Sequence, residues 1–303
     1  MNWTKIKTVI IILLLGVNIF FGYSLYTQYN NLYSFDKEVI NSVTELLKKD
    51  DIYIDINIIP TDKKIMKAYQ SNFDEYYDKL VADQIFGTGN YSERTVNNET
   101  QYISKNYDIL EVNNPDIFSI KYIKSGFDEN NRTAPDKGMI SELKKSELRN
   151  YTNIINRFLG FDNDNIITVN RIYYDAEQMQ YILYCSQNID SYKIGQCEST
   201  FIIKDNIVCY AAGTVIFFEY INVSQTPLID QINILFVEKA YIDEMRGKNE
   251  PDYEKVTIIS LELEYYIIWN NYQSNMFYLL PAWRIEYDNG ITRIRIAVDG
   301  SIY

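Results

Sequence analysis

The sequence predicts an α+β protein, an N-terminal transmembrane helix followed by tandem modules, each a helix packed on an antiparallel sheet. Three observations predict it. No charged residue lies between Lys7 and Asp36, and Thr8–Tyr26 is almost wholly apolar. Beyond that stretch, segments with a helical apolar stripe precede segments of alternating apolar and polar residues, and this order recurs. Near the end, Asp288-Asn289-Gly290 separates two alternating runs, a hairpin signal because such a turn needs positive φ.

Each element has its own justification. The nineteen residues of Thr8–Tyr26 would rise about 28 Å as a helix, close to the roughly 30 Å hydrocarbon layer of a bilayer. Lys5 and Lys7 keep residues 1–7 in the cytoplasm by the positive-inside rule, so the rest of the chain faces outward. No small-residue cleavage site follows, so residues 8–26 read as an uncleaved single-pass anchor in the cell membrane. Residues 27–34 form a polar stalk. In a first extracytoplasmic module, residues 35–125, Ser34 caps a helix over Phe35–Lys49 whose face is Val39, Val43, Leu46 and Leu47. A strand over Ile52–Ile58 and a helix over Phe73–Phe86, stopped by Gly87 and Gly89, come next. Strands near Gln101–Ile103, Tyr107–Val112 and Phe118–Lys124 complete it.

Gly126–Gly138, polar and carrying Pro135, is the linker. The second region, residues 139–303, opens with a helix over Glu142–Leu159, capped by Ser141 and ended by Gly160. Strands follow near Ile166–Tyr173, Gln180–Cys185, Ser199–Lys204 and Ile207–Phe218. A helix starts at Thr226-Pro227 and runs to about Met245 along Leu228, Ile232, Leu235 and Phe236. Then come a strand over Ser260–Ile268 and the closing hairpin of residues 282–298.

Composition limits the function. A hydrophobic content of 47% describes a folded chain, and a net charge of −12, which becomes −14 without Lys5 and Lys7, disfavours nucleic acid and anionic surfaces. The partners expected are proteins, with membrane lipid touched through one helix. Histidine is absent, which removes the usual general base, the usual zinc ligand and the Ser-His-Asp and Cys-His arrangements. No catalytic residue, metal ligand or cofactor site is expected.

The remaining chemical patterns each have a structural explanation. Ser141-x-x-Lys144 lacks the companion motifs of serine acyltransferases and is a helix cap. Glu262 and Glu264 share a strand face and read as a solvated sheet surface. Asp162-Asn163-Asp164-Asn165 begins like a calcium loop, but position six is Ile167 rather than glycine. Gly87-Thr88-Gly89 lacks the third glycine of a dinucleotide site. Cys197 and Cys209 face each other across a hairpin or, with Cys185, remain reduced. Within the anchor Asn18, flanked by Gly16 and Gly22, either bonds to a neighbouring helix or is tolerated by a lone span.

The two ends resemble the YycI family. At the start the match is Met1-Asn2-Trp3-Thr4-Lys5-Ile6-Lys7-Thr8 leading into Asn18-Ile19-Phe20. At the end it is Leu279-Leu280-Pro281-Ala282-Trp283-Arg284-Ile285, then Ala297-Val298-Asp299-Gly300, with Ile258–Tyr266 upstream. The closing hairpin is also similar to those of YycH and PepSY-like domains. Residues 50–220 match in element order and length alone. The resemblance implies tandem PepSY-like modules and a non-enzymatic regulator of a two-component sensor histidine kinase (WalK-like) that pairs with a YycH-like protein. It implies that Gly16, Asn18 and Gly22 contact partner helices and that Trp283 fills the core between sheet and helix. Two alternatives from other classes are an anchored carboxylate-based wall hydrolase and a PepSY-type protease inhibitor.

Overall fold

The computed structural model describes residues 14–15, 17–22, 34–72, 77–96, 99–113, 119–129, 145–161, 166–217, 222–225, 228–269 and 276–303. After the helical residues 14–15 and 17–22 the elements are α1 (Lys37–Lys49), β1 (Ile52–Ile54), β2 (Lys67–Asn72), α2 (Tyr77–Phe86), β3 (Tyr91–Val96), β4 (Glu99–Ser104), β5 (Ile109–Asn113) and β6 (Ser119–Ile123). They continue with α3 (Lys145–Phe158), β7 (Ile167–Asp175), β8 (Gln180–Ile189), β9 (Tyr192–Lys204), β10 (Ile207–Thr214) and β11 (Asn222–Gln225). The last are α4 (Gln231–Gly247), β12 (Val256–Trp269), β13 (Met276–Tyr287) and β14 (Thr292–Ile296). The chain divides into two compact units, one of residues 1–66, 225–262 and 282–303, the other of residues 67–224 and 263–281.

In the first unit, β1 lies parallel to the start of β12, with Ile52 opposite Val256 and Ile54 opposite Ile258. The second half of β13 pairs antiparallel with β14, Ala282 opposite Ile296 and Glu286 opposite Thr292. The turn between them is the one the sequence announces. Gly290 sits at φ 84°, and its N–H closes on the Tyr287 carbonyl at 3.0 Å. Ile40, Val43 and Leu47 of α1 and Ile234, Leu235 and Ile242 of α4 are buried, as are Ile52, Ile258 and Ile285 of the strands. Trp283 is 1% exposed, and its indole N–H donates to the Ile229 carbonyl at 2.8 Å.

The second unit is built on a sheet in which β7, β8, β9, β10, β6, β5, β4 and β3 follow one another antiparallel. The later part of β12 joins β9 in parallel, Tyr265 opposite Ile194. Side-chain amides extend the ladders where backbone partners run out. Gln187 makes two bonds with the Ile216 backbone, both 2.8 Å, and Gln196 makes the same pair with Ile267. The hydroxyl of Tyr77, on α2, donates to the Val215 carbonyl at 3.2 Å and accepts from the Phe217 N–H at 3.0 Å. Ile155 and Leu159 cover the sheet from α3 and its C-terminus, and both are fully buried.

This architecture corrects the expected fold class. The described strands belong to one large mixed sheet of fourteen strands with four helices of ten or more residues, not to tandem helix-on-sheet modules. β6, which precedes the predicted linker, pairs with β10, which follows it, so the two sequence segments share a ladder. A tandem reading rests on local order, whereas these pairings join residues far apart in the chain. The expected transmembrane helix is also not met: among the described residues no helix is long and apolar enough to cross a membrane. Of Thr8–Tyr26, residues 14–15 and 17–22 are described, and they are helical. The rest of Thr8–Tyr26 lies outside the described residues, as do residues 130–138 of the linker and the Thr226-Pro227 helix start.

Several local expectations also shift. α1 begins after Asp36 instead of Ser34, which forms a bridge with Asp62. The strand over Ile52–Ile58 stops at Ile54, because the Asp55 side chain accepts from the Asn57 N–H and turns Ile56–Ile58 into a 3₁₀ helix. α4 starts at Gln231, capped by Asp230, whose carboxylate accepts from the N–H groups of Ile232 and Asn233 at 3.1 and 2.9 Å.

Candidate functional site

Of the three residues expected to contact partner helices, Gly16 lies outside the described residues. Asn18 and Gly22 are on the exposed helical stretch, and a Cβ at Gly22 would meet nothing within 4 Å. The other chemical patterns fare as follows. Ser141 and Lys144 lie outside the described residues, and so does Asp162–Asn165. Gly87 and Gly89 adopt φ 79° and 75° in the turn that ends α2, a helix terminus in place of a phosphate cradle. Glu262 is exposed while Glu264 is 2% exposed, so the expected solvated glutamate face is not formed. The cause is that Leu261, Tyr265 and Tyr266 are buried as well, so both faces of this part of β12 are covered. Cys185, Cys197 and Cys209 are free and buried, and burial pushes all three thiols up. Cys197 and Cys209 do not oppose each other. In the β9–β10 ladder Tyr210 faces Ile202, and the register shifts at Cys209.

The surface that fits a contact role is on α1. Ile40, Val43 and Leu47, three and four residues apart, form the buried stripe expected of an amphipathic helix. Val39 and Leu46, seven apart and therefore on one line, are each 42% exposed. With Val43, Glu38 and Ser42 they line a groove of about 410 Å³. The helix is thus apolar beyond the width that its own unit covers. The four residues expected on one face, Val39, Val43, Leu46 and Leu47, divide between the core and this second stripe.

A buried charge cluster is the other feature of the first unit. Glu238 on α4 has no exposed surface. Its Oε1 accepts from the Tyr287 hydroxyl and forms an ion pair with Arg293, whose Nε lies 2.8 Å away, and its Oε2 accepts from Arg295 Nε at 2.6 Å. Arg293 also donates to the Tyr253 hydroxyl at 2.5 Å and lies 3.7 Å from the centroid of the Tyr241 ring. Burial, the largest single influence, would lower the Arg293 pKa, but Glu238 together with Tyr241, Tyr253 and Tyr287 outweighs it, and the net shift is upward. Burial first and Glu238 second push Tyr287 far up. Both carboxylate oxygens are engaged, so Glu238 clamps α4 to β14 and is not placed to take a proton from a substrate. Among the described residues no group of three or more acidic or cysteine side chains could hold a metal ion.

Sequence reasoning found the apolar residues of α1 but not their division into two stripes, and it missed the charge cluster. The signals of the cluster were present. Glu238 falls on the line of Ile234, Leu235 and Ile242, a carboxylate on an apolar stripe, and Arg293-Ile294-Arg295 puts two guanidiniums on one strand face. Each charge alone reads as surface, and only the ladder of β13 and β14 brings the arginines over α4.

No family model and no curated protein matches the chain. Among solved structures it is similar to the crystal structure of an uncharacterized protein from Eubacterium rectale, at 13% sequence identity and a TM-score of 0.50. That likeness covers 89% of this chain and 99% of the other, and it speaks to the fold alone.

Proposed function

We propose that this chain is a non-catalytic extracytoplasmic regulator of a WalK-like sensor histidine kinase, and that it works with a YycH-like partner through protein contacts. The observation that carries this reading is the second apolar stripe of α1, Val39 and Leu46, which stands exposed beside the buried stripe of Ile40, Val43 and Leu47. The absence of histidine and the separation of Glu262 from the buried Glu264 fit a protein that acts by contact. The wall-hydrolase alternative is framed on Glu262 and Glu264, which do not face one cleft, the first being exposed and the second buried. The inhibitor alternative needs an open strand edge, and β3, the last strand in its order, exposes Ser92, Glu93 and Arg94, charges that discourage strand addition. The location that goes with the proposal is the cell membrane with the N-terminus inside, and its support is the uncharged sequence between Lys7 and Asp36.

The test is co-purification of the full-length protein from its native membranes, followed by mass spectrometry. The parent is compared with a Val39→Asp/Leu46→Asp double variant and with Asn18→Leu. A sensor kinase or a YycH-like protein recovered with the parent and depleted with the double variant supports the reading. Recovery of no membrane partner, or equal recovery with the double variant, overturns it. Alkaline carbonate extraction tests the location: release of the parent from membranes would rule out stable anchoring.

A further inference from the structure

In the second unit, three tight turns at one end of the sheet surround a cavity of about 340 Å³. One turn follows β6, with Gly126 at φ 81°. The second joins β7 to β8, with Met179 at φ 51°. The third joins β9 to β10, with Asp205 and Asn206 at φ 53° and 61°. Backbone bonds hold them in place: the Lys124 N–H donates to the Cys209 carbonyl at 2.9 Å, and the Phe127 N–H donates to the Lys124 carbonyl at 3.0 Å. The Phe127 ring stacks on Tyr210 with centroids 5.8 Å apart. The walls are therefore fixed by main chain and ring contacts, which favours a site formed before any ligand arrives.

The lining is balanced in charge. Lys124 and Lys204 contribute two ammonium groups, and Asp128 and Asp205 contribute two carboxylates. Phe127 adds an apolar wall, and Cys209 also lines the cavity. A simple anion would meet both carboxylates here, and a simple cation would meet both ammonium groups. A molecule that carries one charge of each sign meets a complementary group for each. The volume is near the lower end of the roughly 300–1,000 Å³ usual for ligand pockets, which suits a small molecule.

We propose that this cavity binds a small zwitterion, a free amino acid or a dipeptide. Its carboxylate is held by Lys124 and Lys204 and its ammonium by Asp205. This goes beyond the regulatory reading and does not rest on it, since the binding needs neither kinase nor partner.

The experiment uses purified full-length protein and two readouts. The first is calorimetric titration with glycylglycine and with L-glutamine, set beside acetate, phosphate and ethylammonium as single-charge probes. The second is the rate at which Ellman's reagent modifies Cys209, with Cys209→Ser as the blank. Cys185 and Cys197, 2% and 0% exposed, stay silent in the folded protein while Cys209 is 9% exposed. The expected result is that a zwitterion binds and slows the Cys209 reaction, while the single-charge probes do neither. Lys204→Ala and Asp205→Asn, on a surface turn, keep the fold by circular dichroism and weaken binding roughly tenfold each, as loss of one charge-assisted bond implies. Three results overturn the proposal. One is no heat and no protection with either zwitterion up to about 10 mM, an affinity too weak to matter. Another is phosphate or acetate binding as well as the zwitterions, which makes the cavity an anion site. The third is unchanged binding in both turn variants.

Discussion

A carboxylate with no exposed surface needs other groups in place of water around it, and Glu238 has two guanidiniums and a phenol in that role. Glu238→Gln leaves Arg293 and Arg295 buried against a neutral amide. It is expected to lower unfolding free energy by about 3–5 kcal/mol in urea titrations. A double variant, Glu238→Leu/Arg295→Met, should recover part of that loss, and failure to recover any would show that the pair matters through packing alone. Gly195 allows a second close approach, because a Cβ there would stand 2.6 Å from both Glu264 Oε2 and the Tyr266 ring. Gly195→Ala should cost about 1–3 kcal/mol by the same measurement. The tyrosines set the pH response. Burial first, then the Asp83 carboxylate, pushes Tyr91 up to about 12, and burial also raises Tyr77, Tyr102, Tyr122, Tyr151 and Tyr265. With the folded pKa above the unfolded value near 10, their stabilising contribution is complete below pH 10. It is lost as pH rises through 10 to 12 and beyond, so unfolding free energy should fall over that window. Phenolate absorbance rising at the unperturbed pKa, with the fold intact, would contradict this. At this scale the sequence was informative about turns such as the one at Gly290, whose chemistry admits few settings. It was silent about Glu238, whose setting is made by partners from β13 and β14.

Among elements, α1 shows how one helix can serve two surfaces. Leu47→Ala removes a fully buried side chain and should cost about 2–5 kcal/mol. A Val39→Ser/Leu46→Ser pair should shift stability by no more than about 0.5 kcal/mol per site, because neither residue fills the core. A large loss from the second pair would show that this stripe is already covered and would remove the surface proposed for partners. The elements that sequence reading found and those it missed differ for a physical reason. Strands with one covered face, such as Ser119–Ile123, alternate clearly and were found. β3 is exposed along Ser92–Thr95 and carries no alternation to detect. β2, Lys67–Asn72, is polar in sequence although Tyr69 and Ser71 are buried. The covered part of β12 was read as half solvated because Glu264 looks like a surface residue until Gly195 and Tyr266 are seen against it.

For the molecule as a whole, the division of the chain decides what can be cut from it. The first unit draws on three separate segments, with residues 1–66 and 282–303 both in it. The second needs both β6 and β10, on either side of residues 126–138. Fragments 1–125 and 139–303 should each fail to give a cooperative unfolding transition alone. A sharp transition in either, followed by circular dichroism, would restore the tandem arrangement that periodicity suggested. Such non-local pairing is invisible to a reading that proceeds along the chain, which is why element types were legible and their assembly was not. The pairing of Ile54 with Ile258 has one more consequence, which concerns time. A ribosome adding about 5–20 residues each second needs some 10–40 s to travel from one to the other. For that interval β1 has no strand beside it, and the helix before it has an apolar face without its cover. The first residues of this unit to be made are among the last to be finished, so a chaperone bound to the nascent chain has most to protect near residue 50.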